Sequence, residues 1–232
     1  MIDQLLSWLS PHMCEGCGAV GKTLCRRCNF NILGQKWTKC VNCKYQMTTA
    51  GLAKYGNLCS DCKRELPFAG TFVVGERTKI LKKLVGNYKY FSRRESARTI
   101  AELLGGVLPE TLTEVVIVPL PTIPAHIRER GFDHMKLVAR HLARQKKLSH
   151  APNLLLRTDN VSQHVANFQQ RQKQATQAFA VDLGQATPAR ILLIDDIYTT
   201  GATVSAAAKL LKQHGAKEIW LGVVARQIET LN

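Results

Sequence analysis

One stretch near the C-terminal end of the chain, residues 190–205, constrains the fold more than any other. It begins with four consecutive apolar residues, Ile191 to Ile194, and runs directly into two acids, Asp195 and Asp196. An unbroken apolar run bounded by polar residues is typical of a strand buried on both faces of a parallel sheet. After a threonine-rich loop, apolar residues recur at helical spacing from Val204 to Gln213. The stretch therefore predicts a strand, a polar loop and a helix at the edge of a sheet.

The polar residues of this stretch have the chemistry of a site for a phosphorylated sugar. A helix that begins near Thr203 presents free N–H groups and the positive end of its dipole, which favour a phosphate. Gly201 allows a close approach of the backbone or a positive φ, and threonine hydroxyls add neutral donors. The two carboxylates accept hydrogen bonds from vicinal hydroxyls and can hold a divalent cation. An acidic pair beside a donor-rich loop fits a pentose at one end and its phosphate at the other.

Residues 195–203, Asp-Asp-Ile-Tyr-Thr-Thr-Gly-Ala-Thr, resemble the signature of the type I phosphoribosyltransferases. That fold binds 5-phosphoribosyl-1-pyrophosphate (PRPP) with Mg²⁺. The resemblance implies that Asp195 and Asp196 are the catalytic carboxylates and bind the ribose 2′ and 3′ hydroxyls, and that the loop cradles the 5′-phosphate. An ordinary strand and turn is the alternative, but nine consecutive positions fit one site. The residues predicted to bind PRPP in this stretch are Asp195, Asp196, Tyr198, Thr199, Thr200, Gly201, Ala202 and Thr203.

A second predicted strand, residues 115–118, precedes a loop stiffened by three prolines. Arg128 and Arg130 follow in the same loop, ahead of Asp133, which we expect to cap a helix through Lys147. Because ligands of open α/β sheets bind at the carboxyl ends of strands, the two arginines are predicted to hold the pyrophosphate of PRPP through charge-assisted forks. The alternative is that they only decorate the end of a helix.

The N-terminal part of the chain is organised by cysteines. Two thiolates on one tight turn share a metal ion and two such turns complete a tetrahedral site, so eight cysteines fit two Zn²⁺ ions. A disulfide framework would need an oxidising compartment that nothing else in the sequence supports. Consecutive sites close shorter loops than interleaved ones and are favoured, although spacing leaves both open. The cysteines form four Cys-x-x-Cys pairs: Cys14 and Cys17, Cys25 and Cys28, Cys40 and Cys43, Cys59 and Cys62.

Composition changes after the last pair, and Pro67 predicts a boundary between a zinc-binding module of residues 1–66 and an α/β domain of residues 67–232. Apolar residues then indicate a strand over residues 68–76 and helices over residues 79–90 and 95–108. Alternating strands and helices predict a doubly wound parallel sheet. Residues 1–9 lack the basic start of a secretory signal and no apolar run approaches a membrane span, so we expect a cytoplasmic protein.

The net charge of +15 favours anionic partners, and the excess is concentrated in the middle of the chain. The segment from residue 77 to residue 98 contains eight basic residues and one acid. It is either two solvated helix faces or a track for nucleic-acid phosphates, with Tyr88, Tyr90 and Phe91 as stacking surfaces. In the second interpretation the contacts come from Lys82, Lys83, Lys89, Arg93 and Arg94.

The whole pattern resembles the ComF family, also called GntX, of competence-related phosphoribosyltransferase-like proteins. The shared features, in order, are the four cysteine pairs, Val118-Pro119-Leu120-Pro121, Arg128-Glu129-Arg130-Gly131-Phe132 and the acidic-pair motif. The resemblance implies a role in natural transformation, in the handling of incoming single-stranded DNA, with a helicase-like uptake ATPase and a DNA-processing protein as partners. The chain departs from the family at Phe168, where relatives carry an arginine in a loop that covers the substrate. The resemblance therefore supports PRPP binding more directly than turnover.

Three functions follow as hypotheses. The chain is a PRPP-binding adaptor that handles DNA, a phosphoribosyltransferase that releases pyrophosphate from PRPP, or a regulator that senses PRPP. The last would need a base-reading element, and no helix-turn-helix pattern is present in the sequence.

Overall fold

The structure is a computed structural model, described over residues 12–90, 94–158 and 178–228. Four strands make a parallel sheet, and two short strands pair antiparallel beside it. In chain order the strands are β1 (Gly70–Glu76), β2 (Val116–Pro119), β3 (Leu155–Arg157), β4 (Phe179–Val181), β5 (Arg190–Tyr198) and β6 (Glu218–Arg226). The order across the parallel sheet is β1, β6, β5, β2, so the strand that carries the acidic pair is central.

Helices connect these strands and also occur among the cysteines. They are α1 (Arg26–Gly34), α2 (Thr49–Tyr55), α3 (Ser60–Glu65), α4 (Lys79–Tyr90), α5 (Ser96–Val107), α6 (Pro124–Arg130), α7 (His134–Lys146) and α8 (Ala202–Gln213). None of the helices in the described ranges combines the length and apolar composition that a bilayer-spanning helix needs.

Both faces of the parallel sheet are covered, because successive residues of β5 point to opposite sides. Leu192 and Ile194 pack with α4, α5 and α7, whereas Ile191 and Leu193 pack with α8 and the β3–β4 pair. All four of these side chains are fully buried. The predicted doubly wound parallel α/β fold is confirmed.

The cysteine-rich segment takes part in the same two cores. Cys14, Leu24 and Cys28 lie in the core on the α4 and α5 side, whereas residues from Cys40 to Cys62 lie in the core on the α8 side. The backbone N–H of Asn57 also donates to the carbonyl oxygen of Thr71 on β1, at 2.6 Å. The boundary proposed at residue 66 thus separates two sequence compositions that share one packed interior.

The structure differs from the sequence prediction after β2. The segment with Arg128 and Arg130 is helix α6 and not a loop, because Pro124 at its start needs no N–H partner there. Gly131 ends this helix with a φ of 74°, in the left-handed region. Both arginines therefore stand in the last turn of a helix.

Several other predictions concern side chains whose positions can now be stated. Tyr88 is fully buried, with its hydroxyl donating to the carbonyl oxygen of His134, so it offers no stacking surface. Phe91, Arg93 and Phe168 lie outside the described residues.

Candidate functional site

The carboxyl ends of β2 and β5 open into a cavity of about 300 Å³. Parallel strands bring their C-terminal ends to one edge of the sheet, which is where open α/β folds bind ligands. The cavity joins the acidic pair to the loop that follows it and to basic side chains from α4, α6, α7 and β3. Its charged and titratable lining residues are Lys89, His126, Arg130, His134, Arg157, Asp195 and Asp196.

The two adjacent acids face different surroundings because side chains alternate along a strand. Asp196 points towards α7 and α4, where its Oδ2 lies 2.5 Å from Nε2 of His134 and 2.6 Å from Nζ of Lys89. Asp195 points the other way, towards Arg157, and its Oδ1 accepts the N–H of Asp196 at 2.8 Å. Asp196 is therefore engaged by the protein, whereas Asp195 keeps acceptor capacity for a ligand.

The tautomer of His134 follows from its partners. Nη1 of Arg130 lies 3.2 Å from Nδ1 of His134, and a guanidinium can only donate. Nδ1 is then the acceptor, and Nε2–H donates to Asp196. Thr122 completes the arrangement, since its Oγ1 lies 3.0 Å from both His134 Nδ1 and an oxygen of Asp133. The ring of His134 is thus fixed between α6, α7 and the acidic pair.

These contacts move the pKa values of the two acids in opposite directions. Burial and the neighbouring charge of Asp196 raise the pKa of Asp195 well above its ordinary value. Burial alone would also raise the pKa of Asp196, but the hydrogen bond from His134 and the charge of Lys89 outweigh it and hold that pKa below its ordinary range. Asp196 is consequently the permanent anion of the pair, and Asp195 is the carboxyl that a cation would ionise.

The threonine loop, residues 199–203, turns sharply at Gly201. Gly201 has a φ of 77° and caps the N-terminus of α8. A Cβ at this position would overlap Oη of Tyr198, so glycine is required by space as well as by φ. The first turn of α8 presents N–H groups that have no acceptor within the helix. The loop can therefore take an anion at the point where the cavity begins.

Tyr198 lies beneath this loop and is almost completely buried. Its hydroxyl donates to Oδ1 of Asn42 at 3.1 Å. Burial raises the pKa of Tyr198 to about 12, so the hydroxyl keeps its proton at neutral pH. Tyr198 supports the loop from below.

The structure brings together most of the residues predicted to bind PRPP. Asp195, Asp196, Tyr198, Thr199, Gly201, Thr203 and Arg130 all line the cavity. Thr200, Ala202 and Arg128 are not among its lining residues; Thr200 accepts the N–H of Ala202 at 3.4 Å, and Arg128 is exposed. Their roles remain predictions.

Lys89 is the clearest departure. The sequence predicts it as a contact for nucleic-acid phosphates, but its ammonium is directed into the cavity and pairs with Asp196. Val85 and Lys89 are four residues apart and share a helix face, so the buried face of α4 could have indicated this orientation. Lys82, Lys83 and Arg94 are exposed as expected, although Arg94 also lies over the ring of Phe132.

Four of the polar lining residues were not anticipated from the sequence. Thr122, His126, His134 and Arg157 each stand alone in the sequence, without a repeat or motif that marks them. Asp133 had been identified as a helix cap, and it does accept the N–H groups of Met135 and Lys136. This cap sets the start of α7, and the first residue of that helix is His134.

The eight cysteines form two consecutive clusters. The first cluster is Cys14, Cys17, Cys25 and Cys28, and the second is Cys40, Cys43, Cys59 and Cys62. Within each cluster the four Sγ atoms lie within 4.8 Å of one another. Two of the separations, Cys17 to Cys25 at 3.7 Å and Cys43 to Cys59 at 3.6 Å, are far beyond the length of a disulfide bond.

Both clusters fit zinc. Four thiolates about 2.3 Å from a central ion stand about 3.8 Å apart in a tetrahedron, close to the separations found here. Donors also reach the sulfurs, as thiolate ligands require. The N–H of Cys25 donates to Sγ of Cys14 at 3.3 Å, and Nδ2 of Asn42 donates to Sγ of Cys62 at 3.4 Å. Each cluster offers one site for a structural zinc ion. The cysteines are grouped consecutively along the chain, which is the arrangement predicted because it closes the shorter loops.

Comparison with known proteins shows which proteins the chain is similar to. Residues 126–231 match the phosphoribosyl transferase domain family, and this range contains α6, the acidic pair and the threonine loop. Competence protein F of Haemophilus influenzae is 26% identical over 220 residues, which cover 87% of this chain and 96% of that protein.

Two further relatives align over most of their length. Competence protein ComFC of Streptococcus pneumoniae is 27% identical, covering 84% of each chain. DNA utilization protein YhgH of Escherichia coli is 25% identical, covering 88% of this chain and 97% of that protein. The domain match and the full-length relatives agree with the cysteine clusters and the cavity in pointing to one group of proteins. The chain is therefore similar over most of its length to competence and DNA utilization proteins, and over residues 126–231 to the phosphoribosyl transferase domain family.

Proposed function

We propose that this chain binds PRPP in the cavity and acts in natural transformation, in the handling of incoming single-stranded DNA. The observation that carries the first part is the juxtaposition, in one cavity, of the acidic pair, the Gly201 turn and five basic side chains. The names of the relatives, competence protein and DNA utilization protein, support the second part.

The cavity suggests an orientation for PRPP. The 5′-phosphate would lie at the threonine loop, where Gly201 and the N-terminus of α8 supply N–H donors. The ribose hydroxyls would donate to the acidic pair. The pyrophosphate would then face Arg130 and Lys89, whose charges suit its oxygens. Mg²⁺ bound with PRPP would neutralise part of the pyrophosphate charge, and Asp195 is the carboxylate with acceptor capacity for it or for its water ligands.

Single-stranded DNA is proposed to bind along α4, where Lys82 and Lys83 are exposed. Fluorescence anisotropy with a labelled oligonucleotide at several salt concentrations tests this proposal. Affinity should fall as salt rises, and Lys82→Ala with Lys83→Ala should reduce the slope of log affinity against log salt by about 1 to 2.

The matched control for this DNA experiment is Lys209→Ala with Lys212→Ala, which removes two exposed lysines from α8. The control should leave the salt slope unchanged. Equal effects of the two double variants would contradict the assignment to α4, and no binding at low salt would contradict DNA handling itself. The helicase-like ATPase and the DNA-processing protein stay proposals that rest on the family resemblance.

A second candidate function is phosphoribosyl transfer. It is favoured by Tyr90, which lines the cavity and is 74% exposed, because an exposed ring at the mouth can stack an acceptor base. In this reaction the bond between the anomeric carbon and pyrophosphate breaks, and a base nitrogen forms the new bond to that carbon. The acidic pair would stabilise the positive charge that develops on the ribose ring.

Incubation of the purified protein with PRPP, Mg²⁺ and a panel of bases and oligonucleotides separates the two functions. Release of pyrophosphate with a matching phosphoribosylated product supports transfer. PRPP binding without pyrophosphate release supports the binding function and contradicts transfer to those acceptors.

A further inference from the structure

The second cysteine cluster is connected to the threonine loop by a partly buried path of hydrogen bonds. Asn42 stands between the two cysteines of the pair Cys40 and Cys43. Its Nδ2 donates to Sγ of Cys62 at 3.4 Å, and its Oδ1 accepts the hydroxyl of Tyr198 at 3.1 Å. One amide therefore contacts a metal-site sulfur and the side chain that lies beneath Gly201.

Arg226, at the end of β6, forms a second connection between the same two regions. It is only 7% exposed, and its Nε donates to the carbonyl oxygen of Val41 at 2.6 Å. Its Nη1 donates to the carbonyl oxygens of Tyr198 at 3.2 Å and Thr199 at 2.5 Å. The planar guanidinium thus holds the backbone of the Cys40–Cys43 turn and the start of the threonine loop in one geometry.

We propose that Asn42, Tyr198 and Arg226 are positioning residues through which the second cysteine cluster sets the shape of the PRPP phosphate loop. This inference rests on the proposed PRPP binding. The path joins residues 156 positions apart in the chain, so local sequence cannot supply this support. A metal ion in the second cluster would hold Cys62 in place, and through it the side chain of Asn42. Asn42 in turn holds the hydroxyl of Tyr198. This hydroxyl occupies the position that a Cβ at residue 201 would take.

The first cluster makes different contacts. Oε1 of Glu15, between its first two cysteines, accepts Nδ2 of Asn87 on α4 at 2.7 Å. Cys14 and Cys28 belong to the core on the opposite face of the sheet from the second cluster. The two clusters therefore contact different parts of the fold: the first contacts α4, and the second contacts the residues that support the threonine loop.

Tyr198→Phe tests the path, because it keeps the ring beneath Gly201 and removes only the hydroxyl. We expect PRPP affinity measured by calorimetry to fall about three- to tenfold, since a loop that is no longer held must be ordered on binding. Backbone amides of residues 199–204 should exchange with deuterium faster in the ligand-free variant, while zinc content stays at two ions per chain. Tyr45→Phe, which removes an exposed hydroxyl from the same cysteine-rich turn, is the matched control and should change neither quantity.

A second pair of variants tests the role of the metal site. Cys43→Ser and Cys17→Ser alter equivalent exposed cysteines of the two clusters. The loss of PRPP affinity and the increase in exchange at residues 199–204 should be larger for Cys43→Ser. Equal effects of these two variants, or Tyr198→Phe indistinguishable from wild type in exchange, would overturn the inference. Wild type that binds no PRPP would instead contradict the proposed function, and the exchange rates of the ligand-free proteins would still decide whether the path positions the loop.

Discussion

Asp195 and Asp196 are adjacent residues of the same type, yet their side chains have different contacts and oppositely shifted pKa values in the ligand-free protein. The alternation of side chains along β5 directs Asp196 into the contacts with Lys89 and His134 and leaves Asp195 half-buried, with no comparable ion pair among the described residues. Burial of an unpaired carboxylate is costly, whereas a buried carboxylate with two close donors is stabilised. The pair therefore keeps one fixed anion and one carboxyl whose ionisation a bound cation would favour.

Asparagine substitutions at the two positions should have opposite effects on stability. Asp196→Asn removes the carboxylate that pairs with Lys89 and accepts the Nε2–H of His134, so we expect the free energy of unfolding to fall by about 2–3 kcal/mol. Asp195→Asn removes a charge that burial disfavours and should raise the stability of the ligand-free protein by about 1 kcal/mol at pH 8. Urea unfolding of both variants measures these changes. A loss of stability in Asp195→Asn at pH 8 would contradict this account of the pair.

The pH dependence of Asp195→Asn follows from the direction of its pKa shift. A raised folded-state pKa means that the folded protein binds this proton more tightly than the unfolded chain does. In wild type the group therefore contributes stability at low pH. That contribution is lost as the pH rises from the ordinary carboxyl pKa of about 4 towards the raised pKa of Asp195. The stability gained by Asp195→Asn over wild type should grow from pH 4 to pH 8. The same gain at every pH would show that the carboxyl is not shifted.

At the scale of elements, the turn between β5 and α8 depends on glycine for two reasons. Gly201 has a positive φ, and the space where a Cβ would stand is taken by the Tyr198 hydroxyl. Gly215 offers a comparison, because its φ of 105° is also positive but no atom of the described residues lies within 4 Å of the position of a Cβ. Alanine substitutions at the two positions therefore distinguish the cost of backbone strain, which both share, from the cost of overlap with Tyr198, which only position 201 has.

Gly201→Ala should weaken PRPP binding at least tenfold, because the loop must move away from Tyr198 and from the cavity. Gly215→Ala carries the backbone cost alone, about 1–2 kcal/mol of stability, and should leave PRPP affinity unchanged. Calorimetric titration of both variants, together with thermal unfolding, gives the comparison. PRPP affinity lost equally in the two variants would mean that general destabilisation, and not the loop, is responsible.

The elements that the sequence predicted well are those with a continuous local signal. The apolar run of β5, the turn chemistry after it and the helical spacing of α4 are each readable within about a dozen residues. The predicted bounds of α4, residues 79–90, are those observed, whereas β5 extends to Tyr198, four residues beyond the apolar run. Helix α6 was missed because Pro124 was interpreted as part of a stiff loop, although proline is compatible with the first position of a helix.

Side chains that reach the site from distant parts of the chain could not be predicted in this way. His134 contacts Asp196 across 62 residues, and Asn42 contacts Tyr198 across 156. No periodicity or motif links such positions, since only the fold brings them together. The acidic pair could be predicted because the residues that follow it in the chain carry a recognisable motif. The contacts of His134, Lys89 and Arg157 with this site could not be predicted in that way.

At the scale of the whole molecule, the cysteine-rich segment and the α/β unit are built around the same interior. The first cluster packs on one face of the sheet and the second on the other, and Asn57 adjoins the edge of β1, where its Oδ1 accepts the N–H of Val73 at 3.0 Å. The segments on either side of residue 66 therefore both contribute side chains that exclude water from the two cores.

A fragment of residues 67–232 should be much less stable than the full chain, because it exposes the apolar surface that both clusters cover. The zinc-loaded full chain should unfold in a single thermal transition, and removal of zinc by a chelator should lower the midpoint of the α/β unit as well as that of the cysteine-rich segment. Calorimetry of the full chain with and without chelator measures this. Two transitions, of which only one responds to the chelator, would support independent domains.

The proposed function requires that one cavity binds a pentose through the acidic pair and the phosphate of that pentose through the threonine loop. Isothermal titration of PRPP with Mg²⁺ into wild type and into Asp195→Asn/Asp196→Asn tests it most directly, with circular dichroism to establish that the variant is folded. We expect saturable binding of one PRPP per chain to wild type and loss of that binding in the folded variant. No binding heat with wild type, or equal affinities for the two proteins, would contradict it.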